Sequence, residues 1–181
     1  MGLSACCTAN ASRAIYFAWR GILSHQEGEL RVNLLLNHAS PWADVDSHLP
    51  YVGRVDVHVK RPCRLSVRIP EWVVQGNVKL SVDGESRSFG WSGRYLDGGQ
   101  VAEGRKATIE FPLEERTQRV DVPFSDHRRV TVVLRGNEVV EIDPRGLNHP
   151  FYQREHYRQG VTLWKRSCDS SPQRHFPFDT E

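Results

Sequence analysis

Val55-Asp56-Val57-His58-Val59, a turn at Arg61-Pro62, and then Leu65-Ser66-Val67-Arg68-Ile69 decide the fold. Apolar residues take every second position in both runs, while Arg54, Asp56, His58 and Lys60, then Arg64, Ser66 and Arg68, fall on the opposite faces. A period of two built on β-branched side chains marks antiparallel strands with one buried face. Pro70 closes the second run, because a residue without an N–H cannot continue a central strand.

Working outward, the same pattern recurs. Residues 29–34 alternate before Leu35-Leu36 breaks the period, and Val78-Lys79-Leu80-Ser81-Val82 is a further strand ending in Asp83-Gly84, a two-residue hairpin signal. The return strand holds Ser86, Ser88 and Phe89. Residues 107–111 and 119–122 finish a first β-sandwich. Val130-Val132-Leu134 and Val139-Val140-Ile142, around Gly136-Asn137, begin a second β unit, and residues 161–164 are a last strand. The expected class is therefore mainly β, an antiparallel jelly-roll-like sandwich preceded by one α-helix. The expected division is 1–25 for the helix, 28–124 for the sandwich, 125–166 for a second partial β domain and 167–181 for a disordered tail.

The helix is predicted from Ala11, Ala14, Ile15, Ala18, Trp19, Ile22 and Leu23, whose spacing makes one apolar stripe. Thr8 or Asn10 is a candidate cap and Gly21 a stop. Cys6 and Cys7 stand at its mouth, where unpaired N–H groups and the helix dipole favour a thiolate, the nucleophilic and metal-binding form of cysteine. The competing reading is plain burial, since cysteine packs readily in cores and two cysteines are only half of a zinc site. Cys63 and Cys168 read as reduced structural thiols.

Other candidates have bland alternatives. Asp44, Asp46 and His48 recur at every second position and suit a metal ion, although a solvated loop over residues 37–49 explains them more simply. Trp91 and Tyr95, flanked by Gly90, Gly93, Gly98 and Gly99, can stack on sugar rings or plug the end of a sandwich, and packing is the simpler role. Tyr152, Gln153, Arg154, Glu155 and His156 face a ligand or dock on another domain. A net charge of +2 over 181 residues argues against nucleic acid, and no stretch approaches the ~20 apolar residues of a membrane span. No secretory signal is visible, which makes a cytoplasmic location the expectation. Ser-His-Asp catalysis lacks a Gly-x-Ser-x-Gly elbow.

Cys6-Cys7-Thr8-Ala9-Asn10 with Arg13, followed by Ile15-Tyr16-Phe17-Ala18-Trp19, resembles the Gly-Cys-Cys-x-x-Asn segment of glycoside hydrolase family 127, the β-L-arabinofuranosidase-like proteins. Arg68-Ile69-Pro70-Glu71-Trp72 resembles that family's Arg-Ile-Pro-x-Trp strand end, and Val82-Asp83-Gly84 its Val-Asn-Gly. The resemblance spans residues 5–165 and implies an (α/α) barrel followed by β-sandwiches, with the helix here as the last of the barrel. It also implies a retaining mechanism in which Cys6 is the nucleophile and Cys7, beside it, a zinc ligand, with Cys6 also counted among the metal residues. Ala5 stands where the family has Gly, and Thr8-Ala9 where arabinofuranosidases have Pro-Pro. The family's acid/base Glu, its remaining zinc ligands and its sugar-binding His residues precede the cysteine pair, so this chain alone is expected to be inactive, with zinc bound only in a complete catalytic domain. The alternative is a non-catalytic carbohydrate-binding or interaction module. Without a barrel, the apolar stripe of the helix also predicts self-association.

Overall fold

The computed structural model describes residues 5–122, 128–145 and 154–160. Helix α1 (Ala5–Arg20) leads directly into a hairpin of β1 (Leu23–Gln26) and β2 (Glu29–Val32). It begins three residues before Thr8, so Thr8 and Asn10 lie inside the helix rather than at its cap. Glu27 and Gly28, both with positive φ, make the turn of the hairpin. Residues 24–28 are thus strand and tight turn. Ile22 and Leu23, read as the end of the helical stripe, instead enter the sandwich and are buried there.

Two sheets face each other. The first runs β1, β2, β6 (Cys63–Arg68), β10 (Tyr95–Val101), β9 (Gly90–Ser92). The second runs β3 (His38–Ala39), β4 (Ala43–Ser47), β5 (Arg54–Val59), β11 (Lys106–Glu110), β7 (Lys79–Val82), β8 (Glu85–Ser86). Every pairing in them is antiparallel except β2 with β6, which is parallel. Asp83 and Gly84, at φ 51° and 87°, form the predicted β7–β8 turn, the two left-handed residues that suit a two-residue hairpin. Gly98 and Gly99 lie not in a loop but within β10, at a bulge where its register against β6 slips between Asp97 and Gly99.

The core is the inner surface of both sheets. Val55, Val57 and Val59 from β5 meet Leu65 and Val67 from β6, with Leu30, Val32, Leu80, Leu96 and Ile109 closing the layer. Cys63 is buried among them, where loss of hydration pushes its thiol pKa up. Each fully buried Val or Leu contributes ~1.5–3 kcal/mol by leaving water, which is why the alternation specifies the register so firmly.

A third sheet runs β12 (Glu115–Val122), β13 (Arg128–Arg135), β14 (Glu138–Asp143). Residues 119–122, expected to finish the sandwich, belong here and pair with β13. The turn Gly136-Asn137 falls between β13 and β14 as the sequence indicates. The 3-10 turn Glu155–Gln159 packs against this sheet through Arg154 to Glu138 at 2.7 Å and Arg158 to Glu115 at 2.7 Å. The proposed strand at 161–164 and the tail at 167–181, with Cys168, lie outside the described residues.

Candidate functional site

Cys6 and Cys7 occupy the first turn of α1, where backbone N–H groups lack intrahelical partners. Their side chains lie outside the described set. The apolar stripe on the same helix is uncovered: Ile15 is 71% and Trp19 56% exposed, with Tyr16 and Phe17 exposed beside them. The edge of Trp19 against the His38 ring, 5.3 Å between centroids, ties the helix to β3.

The exit of the helix is fixed by Asn33, a residue to which the sequence reading gave no role. Its Nδ2 donates to the Gly21 carbonyl at 3.0 Å and to Ser24 Oγ at 3.3 Å, its backbone N–H to the Ile22 carbonyl at 2.8 Å, and its Oδ1 accepts from Tyr95 OH at 2.8 Å. One side chain thus joins α1, β1 and β10. The available signal was an Asn at the end of a Val/Leu-rich strand, a residue type strands disfavour.

Zinc needs about four N or S donors, and the cysteine pair supplies two. Among the described residues no group of three or more His, Cys, Asp or Glu can hold a metal ion. The pair therefore does not by itself meet the requirement, and a zinc site at Cys6 and Cys7 needs donors from outside this set.

Asp44 and Asp46 lie on strand β4, and His48 directly follows it, so the expectation of a solvated loop is corrected. Their spacing of two is strand periodicity, and their partners stand on the neighbouring strand. Lys60 Nζ lies 2.6 Å from Asp44 Oδ1, His58 Nε2 3.2 Å from Asp46 Oδ2, and His48 Nε2 3.1 Å from Asp56 Oδ2. Asp56, 5% exposed, also accepts from Arg54 Nη2 at 2.8 Å and from Thr108 Oγ1 at 2.6 Å. Burial is the largest single influence on Asp56 and pushes its pKa up. The hydrogen bonds from Arg54 and Thr108, the charge of Arg54 and the hydrogen bond to His48 together outweigh it and hold the carboxyl below the usual range. Its oxygens are committed, as befits a structural carboxylate.

The aromatic candidates are used in packing. Trp91 packs on the core and meets Phe89 edge-on at 5.7 Å, while Tyr95 gives its hydroxyl to Asn33. Tyr152 and Gln153 lie outside the described residues. Arg154 and Tyr157 dock on this chain's own third sheet and on Tyr51, whose ring is 5.1 Å from Tyr157. Docking on another domain was one expectation for this segment, and complementary charge explains why it docks on its own chain: Glu115, Glu138 and Glu141 from β12 and β14 receive Arg154 and Arg158.

A cleft of about 500 Å³ opens between the sandwich and the β13–β14 turn. Leu35, Leu36, Leu49 and Trp72 supply apolar surface, and Arg68, Glu71 and Asn137 supply polar groups. Sequence reading did not find it, because its walls come from residues 33–50, 68–72 and 135–138, which are far apart in the chain.

Several solved structures share this architecture. The chain is similar to a GH127 β-L-arabinofuranosidase from Geobacillus stearothermophilus T6, at 20% identity over 75% of this chain and 23% of that one, with a TM-score of 0.52. It is likewise similar to a protein described as a glycoside hydrolase, at 20% identity over 75% of this chain and 25% of that one, with a TM-score of 0.56. The chain spans about a quarter of the length of these proteins. No protein-family model and no curated protein sequence matches it. What the likeness establishes is the fold: a helix followed by β-sandwich sheets. Among the described residues no helix is long and apolar enough to cross a membrane.

Proposed function

We propose that this chain is the sandwich-bearing C-terminal part of a retaining glycoside hydrolase of the GH127 type, acting on a β-L-arabinofuranoside-like substrate. The observation that carries the reading is a helix that begins with Cys6-Cys7, is joined to the sandwich across residues 21–22, and presents an uncovered apolar stripe. A catalytic domain packed on Ile15 and Trp19 would bury that stripe and enclose the start of the helix. The fold shared with GH127 structures supports the same reading.

In this mechanism the Cys6 thiolate attacks the anomeric carbon, and the C–S bond forms as the C–O bond to the leaving group breaks. The departing oxygen takes a proton from an acid outside these residues. Water then attacks the same carbon, gives its proton to the conjugate base of that acid, and returns the thiolate. Two inversions retain the configuration, with sulfur replacing the carboxylate nucleophile of most retaining glycosidases. Cys7 is proposed as a metal ligand beside it. A bound zinc supplies positive charge that keeps neighbouring thiols deprotonated.

Sequencing the DNA upstream of Met1 and expressing the whole reading frame tests the proposal. The longer protein is expected to release the aryl group from an aryl β-L-arabinofuranoside, with Cys6→Ala abolishing turnover, while the 181-residue chain is inactive and self-associates in light scattering. Turnover by the short chain, or activity of the longer protein that survives Cys6→Ala, overturns it.

A further inference from the structure

We propose that the cleft between the sandwich and the β13–β14 turn is a non-catalytic binding site for a short neutral oligosaccharide. Its volume of about 500 Å³ lies within the ~300–1,000 Å³ of small-ligand sites. Such sites combine an apolar wall with a few polar groups that fix orientation, and this cleft has both.

The wall is Leu35, Leu49, Trp72 and the exposed Leu36. Trp72 is held rigid, its ring edge-on to Phe111 at 5.7 Å and backed by Gly136, where an added Cβ would come within 3.0 Å of the indole. An apolar wall that does not move favours the C–H face of a sugar ring over a ligand that must reshape its pocket.

The polar groups retain open hydrogen-bonding capacity. Arg68 and Glu71 stand 4.0 Å apart, beyond hydrogen-bond reach, with side chains 49% and 72% exposed. Glu71 lies 3.6 Å from Arg94, again too far for a hydrogen bond. Asn137 is exposed at the tip of the turn and forms no side-chain hydrogen bond among the described residues. Guanidinium donates, carboxylate accepts and amide does both. Hydroxyl groups, which also do both, are the ligand chemistry that satisfies such a mixed set. Net charge decides against an ionic ligand, since Arg68 and Arg135 are balanced by Glu71 and Glu138.

Binding here needs neither Cys6 nor Cys7. The choice of a sugar among hydroxyl-rich ligands rests on the glycoside hydrolase reading, but the test uses no hydrolysis, so the two fail separately. The 181-residue chain, isotopically labelled, is titrated with arabinobiose, xylobiose and cellobiose, with digalacturonate and a proline-rich peptide as competitors for the same cleft. Saturable shifts are expected at the Trp72 indole, Leu36 methyls and Asn137 amide with at least one neutral disaccharide, unchanged in the Cys6→Ser/Cys7→Ser variant. Glu71→Ala/Asn137→Ala, exposed positions outside the core, is expected to weaken affinity about tenfold while the spectrum stays folded. Leu36→Ala weakens it severalfold, and Trp91→Ala, outside the cleft, leaves it unchanged. No saturable shift with any neutral sugar, an affinity unchanged in Glu71→Ala/Asn137→Ala, or tighter binding of the digalacturonate or the peptide overturns the proposal.

Discussion

Gly53 offers a sharp test of how tightly the sandwich is closed. It lies just before β5, and its carbonyl accepts the Phe111 N–H at 2.9 Å. A Cβ added there would sit 2.0 Å from the Phe111 carbonyl oxygen and 3.1 Å from the Phe111 ring, whereas real Cβ contacts do not fall below 3.0 Å. In Gly53→Ala the backbones must therefore part by about 1 Å at the end of the β5–β11 ladder, next to the Arg54–Glu110 pair. Overpacking of this kind costs ~1–3 kcal/mol and the lost backbone hydrogen bond ~0.5–1.5 kcal/mol, so about 2–4 kcal/mol is expected. With a urea dependence of ~1–3 kcal/mol per molar, the unfolding midpoint falls by about 1–2 M. Circular dichroism in urea reads this directly. Gly76→Ala is the control, because nothing lies within 4 Å of a Cβ there. A Gly53→Ala midpoint that matches the Gly76→Ala midpoint refutes the close approach of the two backbones.

Thr108→Val keeps the volume but removes the hydroxyl that donates to Asp56 at 2.6 Å, and is expected to cost ~1.5–3 kcal/mol in urea unfolding. Because the folded pKa of Asp56 lies below its unfolded value of ~3.9, its contribution is complete above that value and is lost as pH falls through the folded pKa. Urea midpoints measured from roughly pH 6 down to pH 3 should therefore drop more steeply in the wild type than in Asp56→Asn; parallel curves contradict the assignment. Cys63 is buried and its thiol pKa is raised, so iodoacetamide is expected to modify it only after unfolding, read by peptide mass spectrometry. Modification of Cys63 at the native rate of an exposed thiol contradicts its place in the core.

Strands β5, β6, β7 and β11 were legible because a sheet with one buried face forces a period of two on the sequence. The hairpin at Asp83-Gly84 was legible for a local reason, the two left-handed residues it requires. β4 was hidden because Asp44, Asp46 and His48 look solvated until their partners on β5 and at Lys60, just past its end, are placed beside them. β1 was hidden because Leu23-Ser24-His25-Gln26 has no alternation, and the Ile22-Leu23 pair continues the helical spacing across a turn. The partner of β12 is a strand-pairing choice that no local pattern encodes. At the candidate site, the helix follows from spacing, whereas the Asn33 clamp and the cleft are built from positions far apart in sequence. The roles given to Cys6 and Cys7 rest on resemblance and on their position at a helix start.

The grip of Asn33 on Gly21 and Ile22 has a consequence for assembly. Only residues 21–22 separate α1 from β1, and both carbonyls are held by the same asparagine, so the helix leaves the sandwich as a rigid spoke rather than on a tether. Each residue of an α-helix advances its faces by about 100°. The angular phase of Ile15 and Trp19 is therefore dictated by the sheet to which the helix is bolted. Inserting one alanine between Trp19 and Arg20, inside the helix, would preserve the composition of the stripe while turning it through about 100°, away from whatever surface it was shaped to meet.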